Sequence, residues 1–194
     1  MRAPAAVGMR LEEVDTPALV VELDAFERNL RRMMDAVAGR AVRVRAHAKT
    51  HKCPEIARLQ MAAGAVGVCC QKVSEAEALV EGGIGDVLVS NEIVGSTKLK
   101  RLAELAGRAR IGVCVDNAAN VRDLEAAVAA AGVTLEVYME LEVGMQRCGV
   151  APGEPALALA RVIQSCPHLR FAGLQAYHGR AQHVRSIVER RAAI

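Results

Sequence analysis

The stretch AVGVCCQKVSEAEALVEGGIGDVLVSN, residues 65–91, decides the fold. Its two apolar runs, 65–70 and 86–91, are short and rich in valine, which is typical of parallel strands covered on both faces. The segment between them predicts a helix with Ser74 as its N-cap and Glu77 three residues later, a capping-box pattern. The glycines of VEGGIGD follow a helix rather than a strand, so they do not form the fingerprint of a dinucleotide-binding sheet. The stretch therefore predicts one βαβ unit of a parallel α/β fold.

The same alternation of strand and helix extends along the whole chain. The helix that follows the first strand has Asp24 as its predicted N-cap and ends at Gly39. Strands are predicted at 18–23, 41–48, 65–70, 86–91, 110–116, 134–142 and 169–179. Helices are predicted at 24–39, 54–64, 74–83, 96–107, 117–132 and 153–166, and a further helix opens within 183–194. Because helices separate all the strands, the sheet is expected to be parallel.

Polar side chains stand where the strands end, and their spacing favours a barrel over an open sheet. From residue 41 onward these ends are Lys49, Gln71, Asn91, Asp116, Glu142 and Tyr177. Their separations are close to the unit of about 30 residues that a (β/α)8 barrel repeats. Six such units are found where a closed barrel has eight. We therefore predict an incomplete TIM barrel over 40–194, preceded by an N-terminal strand and helix over 1–39, in a chain truncated at its C-terminus.

Composition excludes several classes of protein. Hydrophobic residues make up 52% of the chain, which excludes disorder, and the net charge of +3 is too small to predict nucleic-acid binding. No apolar stretch approaches the roughly 20 residues of a membrane span. None of the six cysteines forms a CxxC pair, so zinc-ribbon spacing is absent. We expect a cytoplasmic protein that binds neither nucleic acid nor membrane, with reduced cysteines.

Two histidines and two lysines, His47, Lys49, His51 and Lys52, lie close together where the strand over 41–48 gives way to a helix. Taken alone, such a group is most often a solvated loop. The histidines straddle a strand end and no carboxylate lies at a matching spacing, so no metal site is predicted. Lys49 stands at a strand end, the place where barrels carry their chemistry. A nucleophilic lysine there would form a Schiff base, either with a carbonyl substrate or with pyridoxal phosphate.

Six blocks of sequence resemble one family, in its order and at its spacings from residue 15 onward. They are DTPALVVELDAFERNLRRM, RAHAKTHKCPEIARLQ, GVCCQKVSEAEAL, DVLVSNEIVG, ELEVGMQRCGV and FAGLQAYHG. They resemble the group of D-threonine aldolase, D-serine dehydratase and 3-hydroxy-D-aspartate aldolase, fold-type III pyridoxal-phosphate enzymes with an alanine-racemase-like N-terminal barrel. The combination of CCQ, SNEIVG and LQAYHGRAQH most resembles 3-hydroxy-D-aspartate aldolase, with D-threonine aldolase next.

The resemblance implies roles for eight residues. It makes Lys49 the catalytic lysine that forms the internal aldimine with pyridoxal phosphate. The other residues are implied to surround the cofactor: His47 and His51 beside the lysine, Arg147 on the phenolate side, Gln175 and Tyr177 at the sixth strand end, and, as weaker candidates, Gln71 and Asn91. The chain departs from the family pattern at Ala46, where proline is common, and at Glu142, where aspartate is usual.

The resemblance also implies a reaction and its requirements. The expected substrate is a D-3-hydroxy amino acid whose Cα–Cβ bond is cleaved, as in 3-hydroxy-D-aspartate giving glycine and glyoxylate. Alternatives are elimination of the D-serine dehydratase type, a non-catalytic pyridoxal-phosphate-binding protein, or an inactive fragment. In the family, the phosphate-binding loops, a small β-domain and the histidine plus cysteine or aspartate that bind a divalent metal lie in the C-terminal half, and those ligands are absent from these residues. The complete protein is expected to be a homodimer.

Overall fold

The computed structural model describes residues 3–194, which divide into two compact units, one up to Arg40 and the other over Ala41–Ile194. The strands are β1 (Ala46–His47), β2 (Val68–Cys70), β3 (Asp86–Glu92), β4 (Arg110–Val115), β5 (Leu135–Leu141) and β6 (Leu169–Ala176). The α-helices are α1 (Leu23–Val37), α2 (Pro54–Ala62), α3 (Val73–Glu81), α4 (Ser96–Ala106), α5 (Ala118–Ala131), α6 (Glu154–Gln164) and α7 (Ile187–Ala192). Short 3₁₀ helices cover Leu11–Glu13 and Gly179–His183. None of the helices between residues 3 and 194 is long and apolar enough to cross a bilayer.

The first unit contains a helix but not the strand predicted before it. The prediction of a strand over 18–23 is wrong: residues 18–22 are irregular, and no residue from 3 to 194 pairs with them in a sheet. A short apolar run becomes a strand only when another strand accepts its backbone hydrogen bonds. Helix α1 begins one residue before the predicted cap, because the carboxylate of Glu22 accepts the amides of Asp24 and Ala25 at 3.2 and 2.6 Å.

The second unit confirms the predicted parallel α/β fold. Its six strands form one sheet in the order β1-β2-β3-β4-β5-β6, and every neighbouring pair is parallel. A doubly wound sheet reverses its strand order partway, whereas strands that follow chain order throughout wind in one direction, as in a (β/α)8 barrel. Since six strands are present where a closed barrel has eight, the barrel is incomplete in this chain.

Strand β1 is shorter than the prediction over 41–48. Regular pairing covers Ala46 and His47 alone, opposite Val68 and Cys69. Backbone bonds extend the contact to β2 in both directions, since the Val66 amide donates to the Val44 carbonyl at 2.9 Å and the Ala48 amide to the Cys69 carbonyl at 2.7 Å. The strand therefore delivers the residues after Ala48 to the carboxyl edge of the sheet.

Helix α3 does not begin at the predicted capping box. Lys72 occupies the N-cap position, and no side chain caps it there. Val73 is 3% exposed, so starting the helix at this residue buries an apolar side chain that a start at Ser74 would leave in the connection. Glu75 instead accepts the Gln71 amide, which lies before the helix, at 2.9 Å, and Glu77 pairs with Arg101 of α4.

The strands have an outer face packed under the helices. Its buried side chains are Val68, Cys70, Val87, Val89, Val113, Val115 and Val137, in one cluster with Leu79, Leu102, Leu124 and Ile163. Each fully buried valine or leucine contributes roughly 1.5–3 kcal/mol. This aliphatic layer explains how the chain builds a core with only 2% aromatic residues. It also fixes which way each strand faces, and thus which side chains line the inside.

The inner face carries a row of alternating charges near the amino ends of the strands. Asp86 lies between two arginines, 2.6 Å from Arg45 Nη1 and 3.0 Å from Arg110 Nη1. Glu136 lies between Arg110, at 2.6 Å, and Arg170. Each strand from β3 to β6 contributes one member and Arg45 immediately precedes β1, so these ion pairs tie the strands together from the side opposite the helices.

Replacing Asp86 with asparagine should lower the free energy of unfolding by about 1–3 kcal/mol, because Arg45 is 80% buried and would lose its charged partner. Urea unfolding of the complete protein, followed by far-ultraviolet circular dichroism, measures the change. The matched control is Glu154→Gln, which removes an exposed pair with Arg161 and should alter stability by less than about 0.5 kcal/mol. Equal effects of the two substitutions would contradict a structural role for the charged row.

Candidate active site at the carboxyl ends of the strands

Lys49 lies at the carboxyl edge of the sheet, one residue beyond the core. Ala48 is 1% exposed and its amide bonds to β2, while Lys49 is exposed in the turn that follows. The Lys52 amide closes that turn on the Ala48 carbonyl at 2.7 Å, with Lys52 at a φ of 51°. Burial first and the charge of Lys49 second lower the pKa of His47, whereas burial raises the pKa of its register partner Cys69. The lysine is thus an accessible amine on a fixed backbone.

His47 is held by a polar network that runs across three strands. Its Nε2 lies 3.0 Å from Nε2 of Gln71, which also donates to the Ser90 carbonyl and hydroxyl at 3.1 and 3.0 Å. An amide that donates to Nε2 requires a neutral imidazole there. Burial first, and the charge of Lys49 second, lower the pKa of His47, which agrees with that neutral form. Asn91 donates to the Gln71 carbonyl at 3.1 Å and so fixes the backbone of this network.

His51 faces the start of α2. Its Nδ1 accepts the Cys53 amide at 3.1 Å, and its buried Nε2 has no hydrogen-bond partner among residues 3–194. Burial lowers the pKa of His51 as it does for His47. The hydrogen bond ties His51 to the exit of the Lys49 turn, whereas His47 belongs to the network beside the lysine. The structure therefore separates two histidines that the sequence grouped together.

A second group of predicted residues meets at the ends of β5 and β6. The guanidinium carbon of Arg147 lies 4.9 Å from the centroid of the Tyr177 ring, within the range of a cation–π contact. Arg147 Nη2 is 3.6 Å from Oε1 of Glu140 on β5. Gln175 of β6 is the register partner of Glu140. The sequence predicted Arg147, Gln175 and Tyr177 separately, and the structure brings them together.

The loop that carries Arg147 is shaped by Glu142. The Glu142 carboxylate accepts the amides of Gly144 and Arg147, the latter at 3.2 Å, and the bond from Gly144 chiefly lowers its pKa. Gly149 closes the loop, and a side chain there would lie 2.5 Å from the Glu142 nitrogen. The Gly149 amide also donates to Asp116 at 3.0 Å. The glutamate that departs from the family's aspartate thus anchors the loop from its first residue.

Two further residues of this region, Glu92 and Glu140, were missed by the sequence reasoning, and a third, Cys148, was assigned no catalytic role. Ligand-type atoms of Glu92, Glu140 and Cys148 lie within 4.8 Å of one another. Glu140 is 4% exposed, and burial together with the neighbouring Glu92 raises its pKa to about 7. A signal was present, since two glutamates of TLEVYMELE, Glu136 and Glu140, share the inner face of an otherwise apolar strand. Alternation alone, however, does not reveal which residues face them.

These side chains fit a carbonyl cofactor better than the alternatives raised by the sequence. An exposed primary amine, a neutral imidazole and a stacked guanidinium all lie at the carboxyl edge of one parallel sheet, where barrels carry their sites. The amine can bond an aldehyde, and the guanidinium can face an anionic oxygen. The chemistry of the donor set therefore matches what pyridoxal phosphate requires.

The fold and this edge define the class of protein: the chain belongs to the family described as alanine racemase, N-terminal domain, whose model matches residues 21–193. Among its relatives, a D-threonine aldolase of an Arthrobacter species is 51% identical over 96% of this chain and 49% of its own length. The 3-hydroxy-D-aspartate aldolase of Paracoccus denitrificans is 45% identical over 98% of this chain and 50% of its own. A solved structure of D-threonine aldolase from Filomicrobium marinum superimposes with a TM-score of 0.95 at 58% identity, covering 100% of this chain and 52% of that one.

These comparisons confirm the resemblance and the barrel type predicted from the sequence. The identities do not favour 3-hydroxy-D-aspartate aldolase over D-threonine aldolase, the order that the sequence blocks suggested. The chain spans about half the length of the curated relatives it matches. What the relatives' names say of their reactions therefore describes those proteins, and the activity of the whole protein is a proposal.

Proposed function

We propose that the complete protein is a pyridoxal-phosphate-dependent lyase that cleaves the Cα–Cβ bond of D-3-hydroxy amino acids, such as D-threonine or 3-hydroxy-D-aspartate. The observation that carries the proposal is the position of Lys49, an exposed amine at the carboxyl edge of a parallel barrel sheet. The aldolase relatives support the reaction class. A cytoplasmic location and a homodimer belong to the same proposal, and the six free cysteines agree with a reducing compartment.

Lys49 is the proposed covalent attachment point for the cofactor's aldehyde. The lowered pKa of His47 keeps this imidazole neutral, so it adds no positive charge beside the amine of Lys49. The Gln71–Ser90 network holds the imidazole in place and leaves the lysine free to exchange with the substrate's amino group. Lys49 thus binds the cofactor and the network orients His47, while the fixed backbone of Ala48 keeps the amine at one edge of the sheet.

Arg147 is proposed to face the phenolate side of the cofactor. Its guanidinium lies over the Tyr177 ring, and this contact limits the directions in which its donors can point. Gln175 and Tyr177 line the same edge. Pyridoxal phosphate, when bound, supplies an electron sink for the carbanion that bond cleavage leaves on Cα. The family's divalent metal is assigned to ligands of its C-terminal half, so no residue of this chain is given that role.

Product analysis with the complete protein tests the reaction class. D-threonine should give glycine and acetaldehyde, and 3-hydroxy-D-aspartate should give glycine and glyoxylate, because removal of the 3-hydroxyl proton and cleavage of Cα–Cβ leave one aldehyde and one glycine. The control substrate is D-serine, since elimination from it gives pyruvate and ammonia. Pyruvate without glycine would replace the proposal by a dehydratase, and no product from any of the three would favour a cofactor-binding protein without lyase activity.

A further inference from the structure

The buried carboxyl group of Glu140 has no part in the chemistry proposed so far. It lies inside the sheet at the carboxyl end of β5, 4% exposed, where an ionised carboxylate is poorly solvated. Its nearest cation is Arg147, with Nη2 at 3.6 Å from Oε1. Arg147 is in turn stacked over Tyr177. Glu140 and Tyr177 therefore contact the same guanidinium.

The groups that face Glu140 come from β3, from β4 and the residue after it, and from one loop. Glu92 of β3 and Cys148 of the loop have ligand-type atoms within 4.8 Å of it, and Cys114 of β4 and Asp116 just after that strand add to its electrostatic surroundings. Burial and Glu92 raise the pKa of Glu140, and Arg147 is the described cation that opposes this effect. The Glu140 carboxyl group therefore keeps a proton at low pH and loses it as the pH rises.

We propose that Glu140 is a positioning residue, whose ionised carboxylate holds the Arg147 guanidinium against Tyr177 and so directs its donors toward the cofactor. The role of Arg147 toward the cofactor rests on the function proposed above. The coupling between Glu140 and Arg147 does not, because it follows from contacts within this chain. When Glu140 is protonated, its carboxyl group hydrogen-bonds Glu92, and without a negative charge it holds the guanidinium less firmly.

Because Glu140 is buried, we expect it to lower the stability of the folded protein at pH values where its carboxyl group is ionised. The pKa of Glu140 is raised from the ordinary value of 4.5 to about 7 by burial and by Glu92. Between these two pH values the folded state holds a proton that the unfolded state has released, so stability falls as pH rises from 4.5 to 7 and stays lower above 7. Glu140→Gln keeps the shape without the charge. It should therefore raise the melting temperature of the cofactor-free protein at about pH 8.

The test combines thermal unfolding with a double-mutant cycle in the complete, cofactor-free protein at about pH 8. Arg147→Met should lower the melting temperature because it leaves the Glu140 carboxylate without its cation, and should lower it much less in the Glu140→Gln background. With the cofactor bound, kcat/KM of the wild type should rise with pH up to about 7. This rising limb of the pH profile should be absent in Glu140→Gln. At high pH the variant should be about tenfold slower than the wild type.

Glu136→Gln is the matched control, because Glu136 is also a buried glutamate on the inner face of β5 but belongs to the charged row at the other end. It should lower the melting temperature and leave the pH limb in place. Additive effects of Glu140→Gln and Arg147→Met, or a lower melting temperature for Glu140→Gln at about pH 8, would overturn the positioning role. A cofactor-free cycle that couples as expected, in a protein without lyase activity, would uphold the contact and overturn the proposed function instead.

Discussion

Replacing Lys49 with alanine is expected to abolish the visible absorbance that pyridoxal phosphate gives when bound to the complete protein, and to reduce kcat/KM by at least about 10³-fold. The substitution removes the amine that bonds the cofactor's aldehyde and that the substrate's amino group later displaces, so attachment and exchange are both lost. Lys49 is exposed in a turn, so the change should leave the fold intact. Absorbance spectra after dialysis against excess cofactor measure the first effect, and aldehyde release measures the second.

Lys52→Ala provides the matched control for this experiment. Lys52 is three residues further along the same turn, exposed, and paired with Glu75 at 3.7 Å. Its replacement should keep the absorbance and most of the activity. Borohydride treatment of the wild type should fix the cofactor onto the peptide that contains Lys49. Label on another lysine, or a full band in Lys49→Ala, would remove the basis of the proposed function.

The order of the strands could be predicted from the sequence because it depends on local features. Each strand is a short apolar run, each helix has its own apolar period, and polar residues such as Gln71 and Asn91 mark the strand ends. The strand predicted over 18–23 failed for the opposite reason. Its apolar run was present, but a strand exists only with a partner, and partners are set by the rest of the fold.

The residues of the candidate site likewise divide into those that the sequence could reveal and those that only the structure shows. Lys49, Arg147 and Tyr177 were found because they stand in blocks that resemble a family. Glu92 and Glu140 were not, because their meeting depends on the register of β3, β4 and β5, including the irregularity between Val89 and Glu92. Long-range register is absent from local sequence patterns, so a pair of buried acids from distant strands becomes visible only in the structure.

Replacing Arg147 with methionine is expected to lower kcat by about 10²–10³-fold while the cofactor stays bound. The loss follows because a preorganised cation facing developing charge contributes several kcal/mol in a site shielded from water. Lys49 remains in place, so the absorbance band should persist in the variant. Steady-state rates and spectra of the same preparation separate the two effects. Arg161→Met, on the exposed surface of α6, should change neither.

Arg147→Lys distinguishes charge from shape at this position. Lysine restores the positive charge, but its ammonium group is compact and cannot present the planar fork that lies over Tyr177 and beside Glu140. We therefore expect Arg147→Lys to recover at most about a tenth of the wild-type kcat. Full recovery would show that only the charge matters and that the stacked arrangement has no part in the reaction. Wild-type kcat in Arg147→Met would exclude Arg147 from the site, and the functional assignment would then rest on Lys49 alone.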